Sequence, residues 1–576
     1  MGARIPFAPM RRAPVALERA RRVRLHLSGS SDAMKFAALA CTVVIVLAAC
    51  SKTDGTATKA GRHAWTQPGV LRVAVVEEPK SLNPLLASTS VDGFIDRFLF
   101  TGLLSADVRG NPIPMLADRV PTQANGGISR DGLTITYKLR RDARWSDGVP
   151  VGADDVAWSW RAIMNPRNNI ISRHGYDIIR SVSTPDAHTV VVRLGQRFAP
   201  FVNTFFAESD QPYSIAPAHA LRAFGDINRI QFNDTPSVSD GPFRFVSWTH
   251  GDRIVLVRNA GFFKGTPQLS RVVVQFVPDE NTAVNLLRTH SIDYVYQPSI
   301  ETYSALSALP DAHIVWSDMN GYEAVEFNLA HRQTRDPHVR RAIARAIDKA
   351  SLVERLTHGQ EKVATEDIPD WMWAFDPSVR SYPFDIAAAR RELTADGYTF
   401  GSDGLARKAG SPLQLLLVTD TSDVTHREES VLLQSALRSI GIDITIKTYP
   451  QATLFEAAAS GGIVQGGKFD ITLAPWYAGI DPDDSSQFLC ANMPPNGYNT
   501  SRYCNPEMEA AQADALTHYD QALRAVAYGR VQRLLARDVP YVFLWWKRQM
   551  EPISVDFKGF APNASTESWN AWQWSI

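Results

Sequence analysis

The sequence predicts a mixed α/β (α+β) body, and three observations predict it. From residue 70 onward, short apolar runs of strand length alternate with amphipathic stretches of helical period. No internal repeat and no long low-complexity segment interrupts that alternation. Hydrophobic residues make up 45% of the chain, and roughly 500 residues lie beyond the leader and tether, enough for two or three domains with their own cores.

Sixty basic residues balance sixty acidic ones, but the distribution is uneven. Residues 1–49 carry eight basic side chains and only two acids, Glu18 and Asp32, so the remainder is mildly acidic. An acidic body argues against a nucleic-acid partner, which needs a basic face to neutralise phosphates. After Lys35 comes the uncharged stretch FAALACTVVIVLAA, residues 36–49. It falls short of the roughly 20 apolar residues that span a bilayer and suits a cleaved signal peptide. Its end, Leu47-Ala48-Ala49-Cys50, resembles the lipobox of bacterial lipoproteins, in which the Cys50 thiol takes a diacylglycerol. Met34 stands where such a signal would start. Residues 50–69 are poor in apolar side chains and read as a flexible tether, which makes the protein exported, periplasmic or cell-surface, and held to the membrane by lipid at Cys50.

Strands are then expected at 70–78, 134–139, 189–194, 243–248, 254–258, 271–277, 413–418, 442–447 and 470–474. A helix follows Trp145-Ser146-Asp147-Gly148, with Asp154 and Asp155 in its first turn, where the positive end of the helix dipole favours acids. A second is expected over about 337–356, with Asp336 as N-cap, Pro337 at the first helical position and Gly359 just past the end. Of the four cysteines, Cys41 leaves with the signal and Cys50 is lipidated. Cys490 and Cys504 remain as an even pair in an exported protein and predict a disulfide across a turn-rich loop. A metal site is the competing reading, but two cysteines without nearby histidines fall short of four ligands.

Several motifs in order resemble the extracytoplasmic solute-binding proteins of family 5, which include the oligopeptide, dipeptide and nickel binders of ABC importers. Glu78-Pro79-Lys80-Ser81-Leu82-Asn83-Pro84 is similar to the family's opening motif, with Asn83 for the usual Asp. The run from Trp145 through Asp147-Gly148 to Asp154-Asp155-Val156 is close to its signature, with Gly152 for the usual Thr. Gly241-Pro242-Phe243, Ser291-Ile292-Asp293, Arg335-Asp336-Pro337, Asp481-Pro482 and Val539-Pro540-Tyr541 continue the series. The resemblance implies a bilobal Venus-flytrap fold with an additional inserted domain. Domain I is expected at 70–106, 236–319 and, as a return segment, 541–576, domain II at 107–235 and domain III at 320–540. It also implies a monomer that passes a small ligand, a peptide in the first reading, to the permease subunits of an ABC importer.

Peptide binders of the family pair a carboxylate, in a loop after a domain III strand, with the ligand's α-amino group. The corresponding loop here is Trp476-Tyr477-Ala478-Gly479-Ile480-Asp481, and Gly479 stands where that carboxylate is expected. Asp481 is the replacement candidate, with a local turn role before Pro482 as the competing reading. Gly479 also admits a blocked peptide, a sugar or a metal chelate as ligand, or a ligand-sensing role. Trp371, Trp373 and Tyr322 are further candidates for the cleft wall, set against ordinary core packing. Enzyme signals are weak. Residues 462–468, GIVQGGK, have phosphate-loop spacing, but Phe469 replaces the needed hydroxyl and a strand follows. The thirteen histidines show no ligand spacing, so no catalytic group, cofactor or metal is expected.

Overall fold

The opening strand, Val70–Val75 (β1), is buried along nearly its whole length between two parallel neighbours. A strand covered on both faces reads as a continuous apolar run, as this one does. The computed structural model describes residues 61–209 and 212–576. The expectations for the signal segment, the lipobox and Cys50 lie outside those residues. The tether expected to end at residue 69 is already packed at its C-terminal end: Trp65 stacks on His290 at 4.0 Å and the Thr66 hydroxyl donates to Asp556 at 2.5 Å.

After β1 come helix α1 (Ser90–Leu99) and a small antiparallel sheet of β2 (Thr134–Lys138), β3 (Ile179–Asp186) and β4 (Thr189–Leu194), with helix α2 (Ala153–Met164) between β2 and β3. The chain continues through β5 (Phe243–Thr249), β6 (Arg253–Arg258), β7 (Arg271–Phe276) and β8 (Tyr294–Val295) into a sixteen-residue strand, β9 (Ala312–Phe327). Then follow α3 (Pro337–Ala346), α4 (Lys349–Thr357), β10 (Gln414–Asp420), α5 (Val424–Ser439), β11 (Asp443–Tyr449), β12 (Ile471–Leu473) and β13 (Trp476–Ala478). Helices α6 (Pro506–Thr517) and α7 (Gln521–Asp538) lead to a fourteen-residue strand, β14 (Tyr541–Ser554).

The strands form one twelve-stranded sheet ordered β11-β10-β12-β9-β14-β8-β1-β7-β6-β5, with β13 added on β9 and a short strand, Lys362–Val363, on β14. Strands β9 and β14 run antiparallel from Ala312 opposite Ser554 to Glu326 opposite Tyr541. The molecule is bilobal, and these two strands cross from one lobe to the other. One set of apolar cores draws on residues up to Leu309 and from Met550 onward. The other draws on residues between Tyr322 and Trp546. The crossing in β14 thus lies inside the strand, around Lys547.

The family-like motifs turn out to be joints. Trp145 is buried, and its indole N–H donates to Asp155 at 3.2 Å. The Asp155 carboxylate also accepts the Gly152 and Ala218 N–H groups, each at 2.9 Å, so Gly152 caps α2 without a side chain of its own. Glu78 of the opening motif accepts from the Trp248 indole at 2.7 Å, which ties the segment after β1 to β5. Cys490 and Cys504 are bonded across the expected loop.

One expectation is corrected. Residues 337–356 are two helices, because Asp348 leaves helical geometry and caps α4 by accepting from the Ser351 N–H at 3.1 Å. A side chain able to cap a helix competes with the backbone for that role, and here it interrupts the helical period. The start is as expected: Asp336 accepts from the His338 N–H at 2.9 Å, with Pro337 next to it.

Candidate functional site

Strands β9 and β14 lose register between Asp318 and Tyr322, and β13 pairs onto β9 at that irregularity, Tyr477 opposite Gly321 and Trp476 opposite Tyr322. Gly321 permits the close approach: a Cβ there would lie 2.5 Å from the Trp476 carbonyl oxygen. The neighbouring Asn320 side chain donates to the Gly479 carbonyl at 2.7 Å and the Asp481 carbonyl at 3.1 Å, which pins the loop after β13. The loop's shape is thus fixed by the crossing strands.

Asp481 lies 1% exposed at the end of that loop. One carboxylate oxygen accepts from Arg524 at 2.5 Å, and the other accepts from Arg524 at 2.9 Å and from Asn203 at 3.1 Å. Arg524, on α7, also donates to the Ala515 carbonyl and lies over the Trp373 ring. Both oxygens of Asp481 are occupied by protein donors, so receiving a ligand ammonium would require opening a buried ion pair.

Two cavities meet at Tyr477. The larger, about 810 Å³, is bounded by Ser88–Ser90 before and at the start of α1, by the segment around Ile171 and His174, and by Trp476 to Asp483 facing them. Its far wall is the disulfide-closed loop, which presents Asn496, Gly497 and Tyr498. Trp476 and Tyr498 meet edge to face at 5.7 Å, and Tyr498 is 59% exposed. Asp483 accepts from the Ser485 N–H, and burial pushes its carboxyl above the ordinary range. The smaller cavity, about 580 Å³, lies between Pro298–Glu301 and the start of α5, with Lys547 and Arg548 at its base. Both volumes fall within the usual range for small-ligand sites. The Thr425 hydroxyl donates to Glu301 across the smaller cavity at 3.0 Å, and the Ile480 N–H donates to Ser209 beside the larger one at 3.0 Å.

The structure brings together Trp476, Tyr477, Ala478, Gly479 and Asp481 of the expected site residues. Tyr322 is buried in the second lobe, its hydroxyl donating to Gln487 and its ring edge-on to Phe543. Trp371 donates to the Met319 carbonyl and Trp373 lies under Arg524; both pack on the same core, and neither lines the two cavities. Tyr322 is thus buried in the core, whereas Trp371 and Trp373 are half-buried beside it. Sequence reasoning missed Ser88–Ser90, His174 and Tyr498. The first three precede or begin a capped helix and the last two sit in irregular loops, so no period marks them.

A family model described as bacterial extracellular solute-binding proteins, family 5 Middle, matches residues 111–498. Oligopeptide-binding protein AppA of Bacillus subtilis (strain 168) is 24% identical over 92% of this chain and 96% of its own length. Among solved structures, NikZ from Campylobacter jejuni in complex with Ni(L-His) covers 89% of this chain and all of its own, at 24% identity and a TM-score of 0.72. AppA from Bacillus subtilis in complex with a nonapeptide covers 88% of this chain and 99% of its own, at 23% identity and a TM-score of 0.70.

Proposed function

Since the chain belongs to the bacterial extracellular solute-binding proteins of family 5, we propose that it is the capture component of an ABC importer, taking a peptide into the cleft around Tyr477 and presenting it to membrane permease subunits. The observation that carries this reading is mechanical. Two lobes with separate cores are crossed by β9 and β14, and the register change in those strands lies under the loop that walls an 810 Å³ cavity. A hinge of that kind lets the lobes close on a solute and exclude water, after which a few hydrogen bonds and ring contacts suffice to hold it. No bond is made or broken in such a cycle, and no cofactor enters it.

The ligand-binding residues in this proposal are Trp476, Tyr477, Ala478 and Gly479, with Asp481 setting the loop from behind. The remaining parts of the reading rest on the sequence: a signal peptide, lipid attachment at Cys50, a Cys490–Cys504 bridge formed on export, action as a monomer, and domain boundaries near 107, 236 and 320. The peptide class is supported by the relative named as oligopeptide-binding and by the solved nonapeptide complex. A second reading keeps the fold and changes the cargo to a blocked peptide, a sugar or a metal chelate, and the Asp481–Arg524 pair favours it. Mass spectrometry of the ligand that co-purifies with natively exported protein separates the two. A free-amine peptide, confirmed by thermal stabilisation with the same peptide made synthetically, is the expected result. Stabilisation by no peptide class overturns the first reading.

A further inference from the structure

We propose that Glu323, His426 and Glu429 form a binding site for one divalent transition-metal ion, of the class that takes imidazole and carboxylate ligands, beneath the smaller cavity. One ligand atom from each of the three lies within 4.8 Å of the others. Their placement is a product of the fold. Glu323 projects from β9 just beyond the register change, while His426 and Glu429 stand one helical turn apart on α5. A histidine with two carboxylates is a donor set suited to Zn²⁺, Ni²⁺, Co²⁺ or Mn²⁺, and less so to Mg²⁺ or Ca²⁺, which take oxygen alone.

The second observation is independent of that convergence. Glu429 is 0% exposed and, among the described residues, neither of its oxygens has a hydrogen-bond partner; Glu323 Oε1 is likewise without one there. Buried carboxylate oxygens nearly always find a donor, and a set of them facing an imidazole is what a bare cation would satisfy. His426 lines the 580 Å³ cavity, so an ion reaches the site from the cleft.

Lys547 is the built-in competitor. Its ammonium donates to Glu323 Oε2 at 2.8 Å, and His426 Nε2 lies 3.3 Å from the same oxygen. Asp423 Oδ2 lies 3.5 Å from His426 Nδ1, and Glu361 and Tyr477 line the cavity beside Lys547. Among the described residues Glu361 Oε2 has no hydrogen-bond partner, so Lys547 has a second carboxylate close by to which it can turn when a metal takes Glu323. The site uses only residues of the second lobe and does not depend on which solute the cleft takes.

The test is calorimetric titration of untagged, EDTA-stripped protein with ZnCl₂, NiCl₂, CoCl₂ and MgCl₂, with no peptide present. One saturable equivalent is expected for the three transition metals and none for Mg²⁺. Glu429→Gln weakens binding at least tenfold, and Lys547→Met strengthens it. The visible spectrum of the Co²⁺ form of wild-type protein, perturbed by His426→Asn, keeps the assignment testable if Glu429→Gln does not fold. Absence of a saturable equivalent overturns the proposal, as does Mg²⁺ binding as well as Zn²⁺, or wild-type affinity in folded Glu429→Gln. None of these outcomes bears on peptide capture, whose own test is the co-purified ligand.

Discussion

Arg524 holds both carboxylate oxygens of Asp481, at 2.5 and 2.9 Å, in a pair shut off from water behind the loop that walls the cleft. Asp481→Ala strands a buried guanidinium and is expected to cost about 3–5 kcal/mol of stability. Replacing both partners by leucine should recover much of that loss. Urea denaturation of the two variants checks this. Unchanged stability of Asp481→Ala, coupled with selective loss of amine-bearing ligands, would instead return Asp481 to a direct binding role.

Gly321→Ala places a methyl group 2.5 Å from the Trp476 carbonyl and forces β13 away from β9. The expected strain is about 1–3 kcal/mol, and ligand affinity should fall at least tenfold because Trp476 and Tyr477 move together. Titration of the co-purified ligand into the variant reads this directly; wild-type affinity would show that β13 has room to shift without consequence.

Trp476 and Tyr322 are neighbours across two strands with opposite expected roles. Trp476→Ala should lose about 1–2 kcal/mol of binding, since Trp476 lines the cavity and meets Tyr498 there. Tyr322→Phe should leave affinity intact and cost about 1 kcal/mol of stability by stranding Gln487. The paired measurement fails if Tyr322→Phe is the variant that loses ligand.

The Cys490–Cys504 bridge closes the loop that carries Tyr498 into the larger cavity. Replacing both cysteines by alanine is expected to remove about 3 kcal/mol in the chain-entropy account, and to weaken ligand binding as well. Thermal melts and ligand titrations of oxidised and alanine forms decide it, with equal affinity in the two forms counting against any role for the loop in the cleft.

Glu366 is buried with neither carboxylate oxygen bonded among the described residues, and burial pushes it up to about 9 from 4.5. The folded state therefore holds this proton more tightly than the unfolded chain does. Its stabilising contribution is fully present below about pH 4.5 and is lost as pH rises through about 9. Glu326, pushed up to about 7, acts in the same direction, while Lys349, pulled down by burial to about 8, acts oppositely and only above that value. Urea denaturation at pH 5 and pH 8 should show wild-type stability falling, and Glu366→Gln should flatten that fall by on the order of a few kcal/mol, at about 1.4 kcal/mol per pH unit. A variant with an unchanged slope would place the titration elsewhere.

Much of the fold is legible in local pattern. Strand 189–194 agrees at both ends, and the other expected strands and the Asp336 cap agree to within a few residues. The two strands that matter most, β9 and β14, give no such signal as units. Tyr541–Trp546 is buried on both faces and so loses the alternation that marks a strand, and Lys547 to Gln549 then turn partly toward solvent at the crossing. The convergence of Glu323, His426 and Glu429 is hidden from local pattern for a similar reason: His426 and Glu429 share one helix, but Glu323 joins them from 103 residues before His426.

Legible from the chain alone were most of the α/β elements, the Asp336 cap, the pairing of Cys490 with Cys504 and the loop at Trp476–Asp481, because each depends on side chains close in sequence. Only the tertiary structure decided that Arg524 and Asn203 occupy Asp481, that Tyr322 serves the core, and that three donors converge under the cleft. Those are pairings between residues tens to hundreds of positions apart, chosen by which surfaces must be buried together when β9 and β14 bring two lobes onto one sheet.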